Sequence, residues 1–270
     1  MIKAMADEDL QPRTIDTSDP DKPLIMIPVT AADVARARRK KIAAVLAIAV
    51  VLGSAAWFSY RRMTNPIEAR HAYEDGLRLM KANRYEQAIL NFDRTIRLTP
   101  EFADAYRMRG KSYVTASKLD LGIADFSRVV AMRPQDADVL VDRGFAYADK
   151  KDWALALTDV TRALQLKPGL GRAYNLRATI IRETGDPRKA ISDFNRAVEL
   201  EPNLDNYFQR ASTYQLLGES KRAAEDLNYA VEFSPDQTNL YFARARSRAA
   251  AGDIEGARQD IQYARRIEGW

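Results

Sequence analysis

The segment ADAYRMRGKSYVTASKLDLGIADFSRVVAMRPQD (residues 103–136) is followed directly by ADVLVDRGFAYADKKDWALALTDVTRALQLKPGL (residues 137–170), and the two align without a gap. Both have Arg-Gly at their seventh and eighth residues and Pro close to their ends. A step of 34 residues is typical of repeats that are built from two helices. The pair therefore predicts an all-helical repeat, with further copies on both sides.

The same residue types recur along the chain at this step. Prolines lie 34, 34, 34 and 33 residues apart, at Pro100, Pro134, Pro168, Pro202 and Pro235. Small residues form two columns, which are Gly76, Gly110, Gly144, Ala178, Ala211 and Ala245, and Ala88, Gly122, Ala156, Ala190, Ala223 and Ala257. Large apolar residues form a third column, Phe92, Phe126, Val160, Phe194, Leu227 and Ile261. Small residues let two helices approach closely, and Pro ends a helix because it has no N–H to donate.

The consensus of the repeats is a small residue, an aromatic or aliphatic one three positions later, then Ala-x3-Phe-x2-Ala and a closing Pro. This pattern resembles the tetratricopeptide repeat family over roughly residues 69–270. The resemblance implies an all-α fold, a right-handed superhelical α-solenoid of about six helix-turn-helix units. Within a domain of residues 66–270 the repeats are expected near 69–102, 103–136, 137–170, 171–203, 204–237 and 238–270. Each unit has too large an apolar face to bury alone, so neighbouring units should share one core.

The columns also predict where each helix begins and ends. The expected helix pairs are 66–81 and 86–98, 103–116 and 120–132, 137–149 and 153–166, 171–184 and 187–200, 204–217 and 220–233, and 238–251 and 254–268. No strand is expected in this part of the chain.

Residues 42–60 form an uncharged run of 19 residues, which as a helix would span about 28 Å, close to the hydrocarbon thickness of a bilayer. Five basic residues precede this run within 36–41, and Arg61 and Arg62 follow it. The run predicts a single transmembrane helix within residues 36–62. The excess of positive charge before it predicts that the N-terminus lies in the cytoplasm and the repeats in the periplasm, with the helix in a bacterial inner membrane. Cleavage of a signal peptide near Ala56 is the open alternative.

The first 35 residues contain four prolines and carry seven acidic against three basic side chains. This composition predicts a disordered cytoplasmic tail. From residue 66 onward the chain has 32 Lys and Arg against 30 Asp and Glu, a balance that gives no basic surface for nucleic acid.

No enzymatic motif is evident in the sequence. There is no Cys, which excludes a thiol nucleophile and a thiolate metal site, and no Ser-His-Asp set is evident around His71, the single histidine. No glycine-rich phosphate loop is present either. The protein is expected to be no enzyme and to need neither a metal nor a cofactor.

Charged residues form two further columns. Arginines occupy the position before the small residue of the first helix, at Arg109, Arg143, Arg177, Arg210 and Arg244. Aspartates recur in the second helices, at Asp125, Asp159, Asp193, Asp226 and Asp260. The first repeat lacks both, with Asp75 and Asn91 in their places. This joint loss predicts one structural Arg–Asp ion pair per repeat, bidentate where the geometry allows.

The resemblance implies that first helices line a concave groove. The expected lining residues are Tyr73, Leu77, Arg107, Lys111, Val141, Phe145, Asn175, Arg182, Phe208, Phe242 and Arg246. Aromatic anchors with scattered positive charge favour a peptide or helix of a partner protein as the ligand, with a bias toward acidic partners. Family members that bind the carboxylate tails of heat-shock chaperones need an Asn where this chain has Asp142, which disfavours such a ligand.

The last repeat offers a second candidate surface, because no polar capping helix follows it. The expected exposed edge comprises Ile254, Ile261, Tyr263, Ile267 and Trp270. Apolar patches on a surface mark contact sites. The sequence therefore predicts a membrane-tethered interaction scaffold or adaptor of a bacterial envelope complex. The alternative is a structural subunit that packs through this edge into an oligomeric membrane assembly, and a homo-oligomer is possible on either reading.

Overall fold

The computed structural model describes residues 30–269, without the side chains of residues 33, 55, 56 and 58–64. Over this range the chain forms twelve α-helices and no strand. The helices are α1 (Ala31–Lys81), α2 (Tyr85–Leu98), α3 (Ala103–Thr115), α4 (Leu119–Met132), α5 (Ala137–Asp149), α6 (Trp153–Leu166), α7 (Gly171–Thr184), α8 (Pro187–Leu200), α9 (Leu204–Leu216), α10 (Ser220–Phe233), α11 (Thr238–Ala250) and α12 (Ile254–Glu268).

Helices α2 to α12 begin and end within one residue of the bounds that the repeat columns predict. The first helix differs, because α1 starts at Ala31 rather than near residue 66 and continues through Pro66. A proline removes one hydrogen bond from the helix interior, and here the helix continues past that loss. The chain nevertheless divides into two units at this residue, the first ending at Pro66 and the second beginning at Ile67.

The first unit contains the α1 residues up to Pro66. Its large apolar side chains between Ile42 and Leu52 are each more than half exposed. No helix in the described part of the chain is both long and apolar enough to cross a membrane. The transmembrane helix expected at residues 42–60 is therefore not supported by the structure, and the tail expected at residues 1–35 lies almost entirely outside the described residues.

In the second unit, each helix from α2 onward packs against the next one along the chain, and the first helices of repeats two to five also contact each other. The columns of small and large residues meet in the core. A Cβ atom added to Gly76 would lie 2.6 Å from the ring of Phe92, and one added to Gly110 would lie 2.9 Å from the ring of Phe126. Both rings are buried, so the absence of a side chain is what lets the paired helices approach.

The turn between the two helices of a repeat has a recurring conformation. Its central residue has a positive φ in five repeats, at Asn83 (56°), Ser117 (60°), Lys151 (65°), Gly218 (76°) and Gly252 (92°). Repeat four is the exception, with Gly185 at φ −146°. There Asp186 caps α8 through the backbone N–H of Arg188, and Pro187 is the first helical residue. Because a proline restricts the residue before it to extended backbone, this turn follows a different path.

Candidate partner-binding surface

Five arginines of the first helices each donate two hydrogen bonds to an aspartate of the following second helix. The Nε and Nη2 atoms of Arg109 each lie 2.7 Å from an oxygen of Asp125. The same bidentate geometry, at 2.6–3.0 Å, joins Arg143 to Asp159, Arg177 to Asp193, Arg210 to Asp226 and Arg244 to Asp260. The five aspartates are buried. One pair therefore links the two helices of each repeat from the second to the sixth.

Four of these arginines also reach the second helix of the preceding repeat. The Nη1 atom of Arg109 donates to Asp93 at 2.5 Å. Equivalent bonds of 3.0–3.1 Å run from Arg143 to Ser127, from Arg210 to Asn195 and from Arg244 to Asn228. Arg177 makes no such bond within the described residues. We refer to the five pairs and these cross-repeat bonds together as the arginine ladder.

Aromatic rings and the hydrogen bonds to Asp stabilise the positive charges of the ladder. The guanidinium carbons lie 5.3–5.8 Å from the ring centroids of Tyr106, Tyr147, Tyr174, Tyr207 and Tyr241, within the range of cation–π attraction. The hydrogen bond to Asp159 raises the pKa of Arg143 above its usual value, against the lowering effect of burial. The ladder is thus a permanently charged structural element that sets the register of the repeats.

Two of the residues expected to line the groove do not do so. Val141 is fully buried among the core residues of repeats three and four. Asn175 is also buried, and its Nδ2 atom donates to Asn206 at 2.6 Å and to Asp205 at 3.2 Å. The physical reason is that this position of a first helix contacts the neighbouring first helix, so a short side chain is enclosed between them.

The other nine expected residues remain at least partly accessible. They are Tyr73, Leu77, Arg107, Lys111, Phe145, Arg182, Phe208, Phe242 and Arg246. Tyr73 has rings on two sides, with Phe102 at 4.9 Å and Phe92 at 5.8 Å between centroids, and burial raises its pKa. Among the aromatic residues of these nine, Phe242 is the most exposed, at 40%. We call the surface formed by these nine side chains the first-helix surface.

Asp142 collects three cations at the centre of this surface. Its buried carboxylate accepts hydrogen bonds from Arg107 Nε at 2.7 Å and Arg172 Nη2 at 2.6 Å, and Lys111 Nζ lies 3.3 Å away. The guanidinium of Arg172 also lies 5.7 Å from the ring centroid of Phe145. One negative and three positive charges leave this cluster with a net positive charge.

Two open pockets lie on the first-helix surface. The first has a volume of about 470 Å³ and adjoins the Asp142 cluster; its lining residues are Met80, Lys81, Tyr85, Lys111, Val114, Thr115, Phe126, Asp142, Phe145 and Arg172. The second, of about 530 Å³, lies against repeats four to six; its lining residues are Arg182, Glu183, Gln209, Ser212, Gln215, Leu216 and Arg246. Each pocket contains cations next to apolar side chains, a combination that can bind an acidic segment of another protein.

The sequence interpretation missed Arg172, Gln209 and Gln215. Arg172 stands in a column that also has an arginine, Arg70, in repeat one, whereas repeats two, three, five and six have Asp104, Asp138, Asp205 and Asn239. A cation at a position where four repeats have acidic or amide residues was a detectable signal. The two glutamines gave none, because a lone Gln on a helix is usually a solvated surface residue.

Only part of the expected C-terminal edge is exposed because it lies in the last repeat. Ile254 and Ile261 are exposed at 59% and 37%. Tyr263 and Ile267 are exposed too, but Tyr229 and Phe233 occupy the equivalent positions of repeat five and are at least as exposed. The ring of Tyr263 packs against that of Tyr241 in a tilted arrangement, with centroids 4.7 Å apart. Exposure at these two positions is therefore a property of the repeat and not of the chain end, and Trp270 lies outside the described residues.

Arg248 covers part of the last repeat. It stands at the position that is Leu79, Tyr113, Tyr147, Ile181 and Tyr214 in the other repeats. Its Nη1 atom donates to Asp260 at 3.0 Å and to the carbonyl oxygen of Gly256 at 3.4 Å. Asp260 thus binds two guanidinium groups. Across residues 30–269 no group of three or more His, Asp or Glu side chains is placed to hold a metal ion.

Comparisons with known proteins agree on one family. Two sequence models described as tetratricopeptide repeat match the chain, one over residues 73–137 and 107–171 and the other over 171–204 and 204–237. The matches together extend from residue 73 to residue 237, more than half of the 270 residues. No curated protein matches the sequence.

Solved structures share the fold at low sequence identity. The Cut9–Hcn1 structure from the APC/C matches with a TM-score of 0.68 and 17% identity over 75% of this chain, which spans only 40% of that chain. PilF of Pseudomonas aeruginosa matches with a TM-score of 0.64 and 17% identity, covering 75% of this chain and 93% of its own. A tetratricopeptide repeat protein of Thermus thermophilus gives 0.59 and 19%, covering 68% and 98%. At such identities the likeness concerns the fold alone.

Proposed function

The chain belongs to the tetratricopeptide repeat family, whose members are generally protein-interaction scaffolds, and we propose that it binds a segment of a partner protein on its first-helix surface. The observation that carries this proposal is the pair of pockets at which cations lie beside accessible aromatic or aliphatic side chains. Protein-binding hot spots are rich in aromatic residues and Arg. The protein is proposed to act without catalysis.

Site-specific photo-crosslinking in cells tests this proposal. A photoreactive phenylalanine analogue at Phe242, which is 40% exposed on a first helix, should crosslink to the partner. The same analogue at Leu155, which is 50% exposed on the second helix α6, is the matched control and should give no crosslink. Crosslinks from position 155 alone would place the partner on the second helices and would refute the proposal.

We extend the proposal to a membrane tether at residues 42–60. Its support is the uncharged sequence between the five cations of 36–41 and the arginines at 61 and 62. The run includes five residues whose side chains are not described, at positions 55, 56 and 58–60. The proposed setting is a bacterial inner membrane, with the N-terminus in the cytoplasm and the repeats in the periplasm, as part of an envelope complex.

The absence of Cys makes this extension testable by single-cysteine labelling. In intact cells, a membrane-impermeant maleimide should label Ser192→Cys and leave Ala32→Cys unlabelled until the cells are permeabilised. Labelling of both variants in intact cells would indicate an exported protein, and labelling of neither would place the repeats in the cytoplasm. Mass spectrometry of the mature N-terminus would reveal cleavage near Ala56.

A structural-subunit function is the second candidate, favoured by the exposed Ile254 and Ile261. If these side chains form a permanent interface, the double substitution Ile254→Glu and Ile261→Glu should dissociate an oligomer of the purified full chain. Sedimentation velocity measures this directly. A wild-type chain that is monomeric at micromolar concentration would exclude self-association through this edge.

A further inference from the structure

The second pocket, which lies against repeats four to six, interrupts an apolar column. The column contains Met80, Val114 and Ala148 in the first three repeats and Ala249 in the last. In repeats four and five it contains Arg182 and Gln215, and both of these side chains line the pocket. Arg246 enters the same pocket from α11 of repeat six. Three polar groups from three successive repeats thus meet at one place.

Neutral groups hold the two guanidinium groups in position. Arg246 Nη2 donates to the side-chain oxygen of Gln215 at 2.8 Å, and the amide nitrogen of Gln215 is itself fixed by Ser247 Oγ at 2.7 Å. Arg182 Nη1 donates to the side-chain oxygen of Gln209 at 3.0 Å. Amide oxygens orient an arginine without cancelling its charge. Both cations are therefore held in place before any ligand arrives.

The charge balance of the pocket favours a ligand with a single negative charge. Among the described residues Arg246 has no carboxylate partner, and Arg182 has one, Glu183, whose carboxylate lies 3.0 Å from its Nε atom at the pocket rim. Two positive charges and one negative charge leave a single positive charge. A carboxylate matches this balance, whereas a phosphate carries about −1.5 to −2 and would also be repelled by Glu183.

We propose that this pocket binds a carboxylate group of the partner segment through Arg246 and Arg182. The inference rests on the proposed function and specifies the chemistry of the partner at one position of the surface. Leu216, which is 68% exposed at the pocket wall, offers contact area for an apolar residue next to the acidic one. The carboxylate comes from an Asp or Glu side chain or from the end of a chain, and the test separates these two sources.

The test uses the purified full-length chain and arrays of random dodecapeptides, one pool containing Asp and Glu and one lacking them. Each peptide that binds is then compared with its C-terminally amidated form, and each acidic peptide also with its Gln-for-Glu and phosphoserine-for-Glu forms. Wild-type protein and the Arg246→Gln, Arg182→Gln, Arg172→Gln and Arg162→Gln variants are assayed together. Arg162 is the matched control, because it is an exposed second-helix arginine that also donates to a neutral amide, Gln165.

A side-chain carboxylate predicts that acidic peptides are enriched, and a terminal carboxylate predicts that both pools lose binding on amidation. In either case Arg246→Gln should weaken binding at least about tenfold, a loss typical of one charge-assisted hydrogen bond. Arg162→Gln should bind like wild type. Arg182 also lies 5.7 Å from the ring centroid of Phe194, so Arg182→Gln is first checked for folding. If Arg182→Gln unfolds, Arg246→Gln alone decides the test. Loss of binding on amidation alone identifies a terminal carboxylate, and loss with Gln identifies a side chain.

Four results would overturn the proposal. Equal binding of acidic and neutral pools that persists when both are C-terminally amidated, or stronger binding of the phosphoserine forms, would refute a carboxylate ligand while the proposed function survived. Acidic enrichment that is unaffected by Arg246→Gln but lost in Arg172→Gln would place the carboxylate at the Asp142 cluster instead. Failure of every pool to bind would contradict the proposed function as well.

Discussion

At the scale of single residues, the lack of a side chain at Gly76 has a measurable consequence. In a helix, Gly→Ala on its own is favourable by about 1 kcal/mol. Here the new Cβ would lie 2.6 Å from the buried ring of Phe92, and overpacking of this kind typically costs about 1–3 kcal/mol. We expect Gly76→Ala to lower the free energy of unfolding by about 1 kcal/mol, measured by urea denaturation.

Gly169→Ala is the control for this prediction, because nothing lies within 4 Å of a Cβ at that position. It should leave stability unchanged or raise it by up to about 1 kcal/mol, since Ala restricts the unfolded chain. Equal effects of the two substitutions would show that the ring does not limit the space at residue 76.

The negative charge of Asp142 is expected to stabilise the fold, because three cations surround its carboxylate. Its side chain is only 3% exposed, and it binds Arg107, Lys111 and Arg172. Asp142→Asn would remove the negative charge and leave three neighbouring cations without it. Removal of one partner from a buried ion pair costs about 3–5 kcal/mol, but these cations are 19–35% exposed, so solvent screening reduces the expected loss to about 1–2 kcal/mol.

Salt dependence provides the check on this prediction. Added sodium chloride should recover part of the stability of Asp142→Asn, because it screens the repulsion among the cations. Thermal denaturation at low and high salt measures the recovery relative to wild type. A variant whose deficit stays constant with salt would indicate lost packing rather than unbalanced charge.

At the scale of elements, the turn between the two helices of a repeat predicts opposite effects for two substitutions. Lys151 has a φ of 65°, a conformation that costs a non-glycine residue about 1–2 kcal/mol. Lys151→Gly should therefore stabilise the protein by about 0.5–1 kcal/mol, after the added entropy of the unfolded chain is subtracted. Gly218→Ala, at φ 76° with no atom within 4 Å, should destabilise it by about 1–2 kcal/mol. Chemical denaturation of both variants measures the two signs, and a loss of stability in Lys151→Gly would contradict the prediction.

The elements also show what the sequence could predict. Helices α2 to α12 were predictable because small residues, large residues and prolines repeat at one step, so each column supports the others. The length of α1 was not, because the helix expected within residues 36–62 and the repeat helix expected at 66–81 were predicted separately, whereas α1 is continuous through Pro66. Within the candidate site, accessible Phe242 and Arg246 followed from helical position. The burial of Val141 and Asn175 did not, because it depends on how closely successive first helices approach.

At the scale of the whole molecule, the arginine ladder couples the repeats along the chain. A repeat array contacts only its neighbours, so its cooperativity depends on the junctions between repeats. Arg210 binds Asp226 within its own repeat and Asn195 on the second helix of the preceding one. Arg177 binds Asp193 in its own repeat but makes no cross-repeat bond among the described residues. The two arginines therefore separate the effect of the pair from the effect of the junction.

We expect Arg210→Lys and Arg177→Lys to lose similar stability within their repeats, because lysine cannot form the bidentate bond. Only Arg210→Lys should also weaken the coupling between repeats four and five, which native-state hydrogen exchange detects as separate opening of α9 to α12. The junction between repeats three and four lacks a ladder bond, so in the wild-type chain it should open at a lower free energy than the junction between repeats four and five. Uniform protection across both junctions in all three proteins would show that apolar packing alone couples the repeats, because the ladder bond would then add nothing to the interface energy.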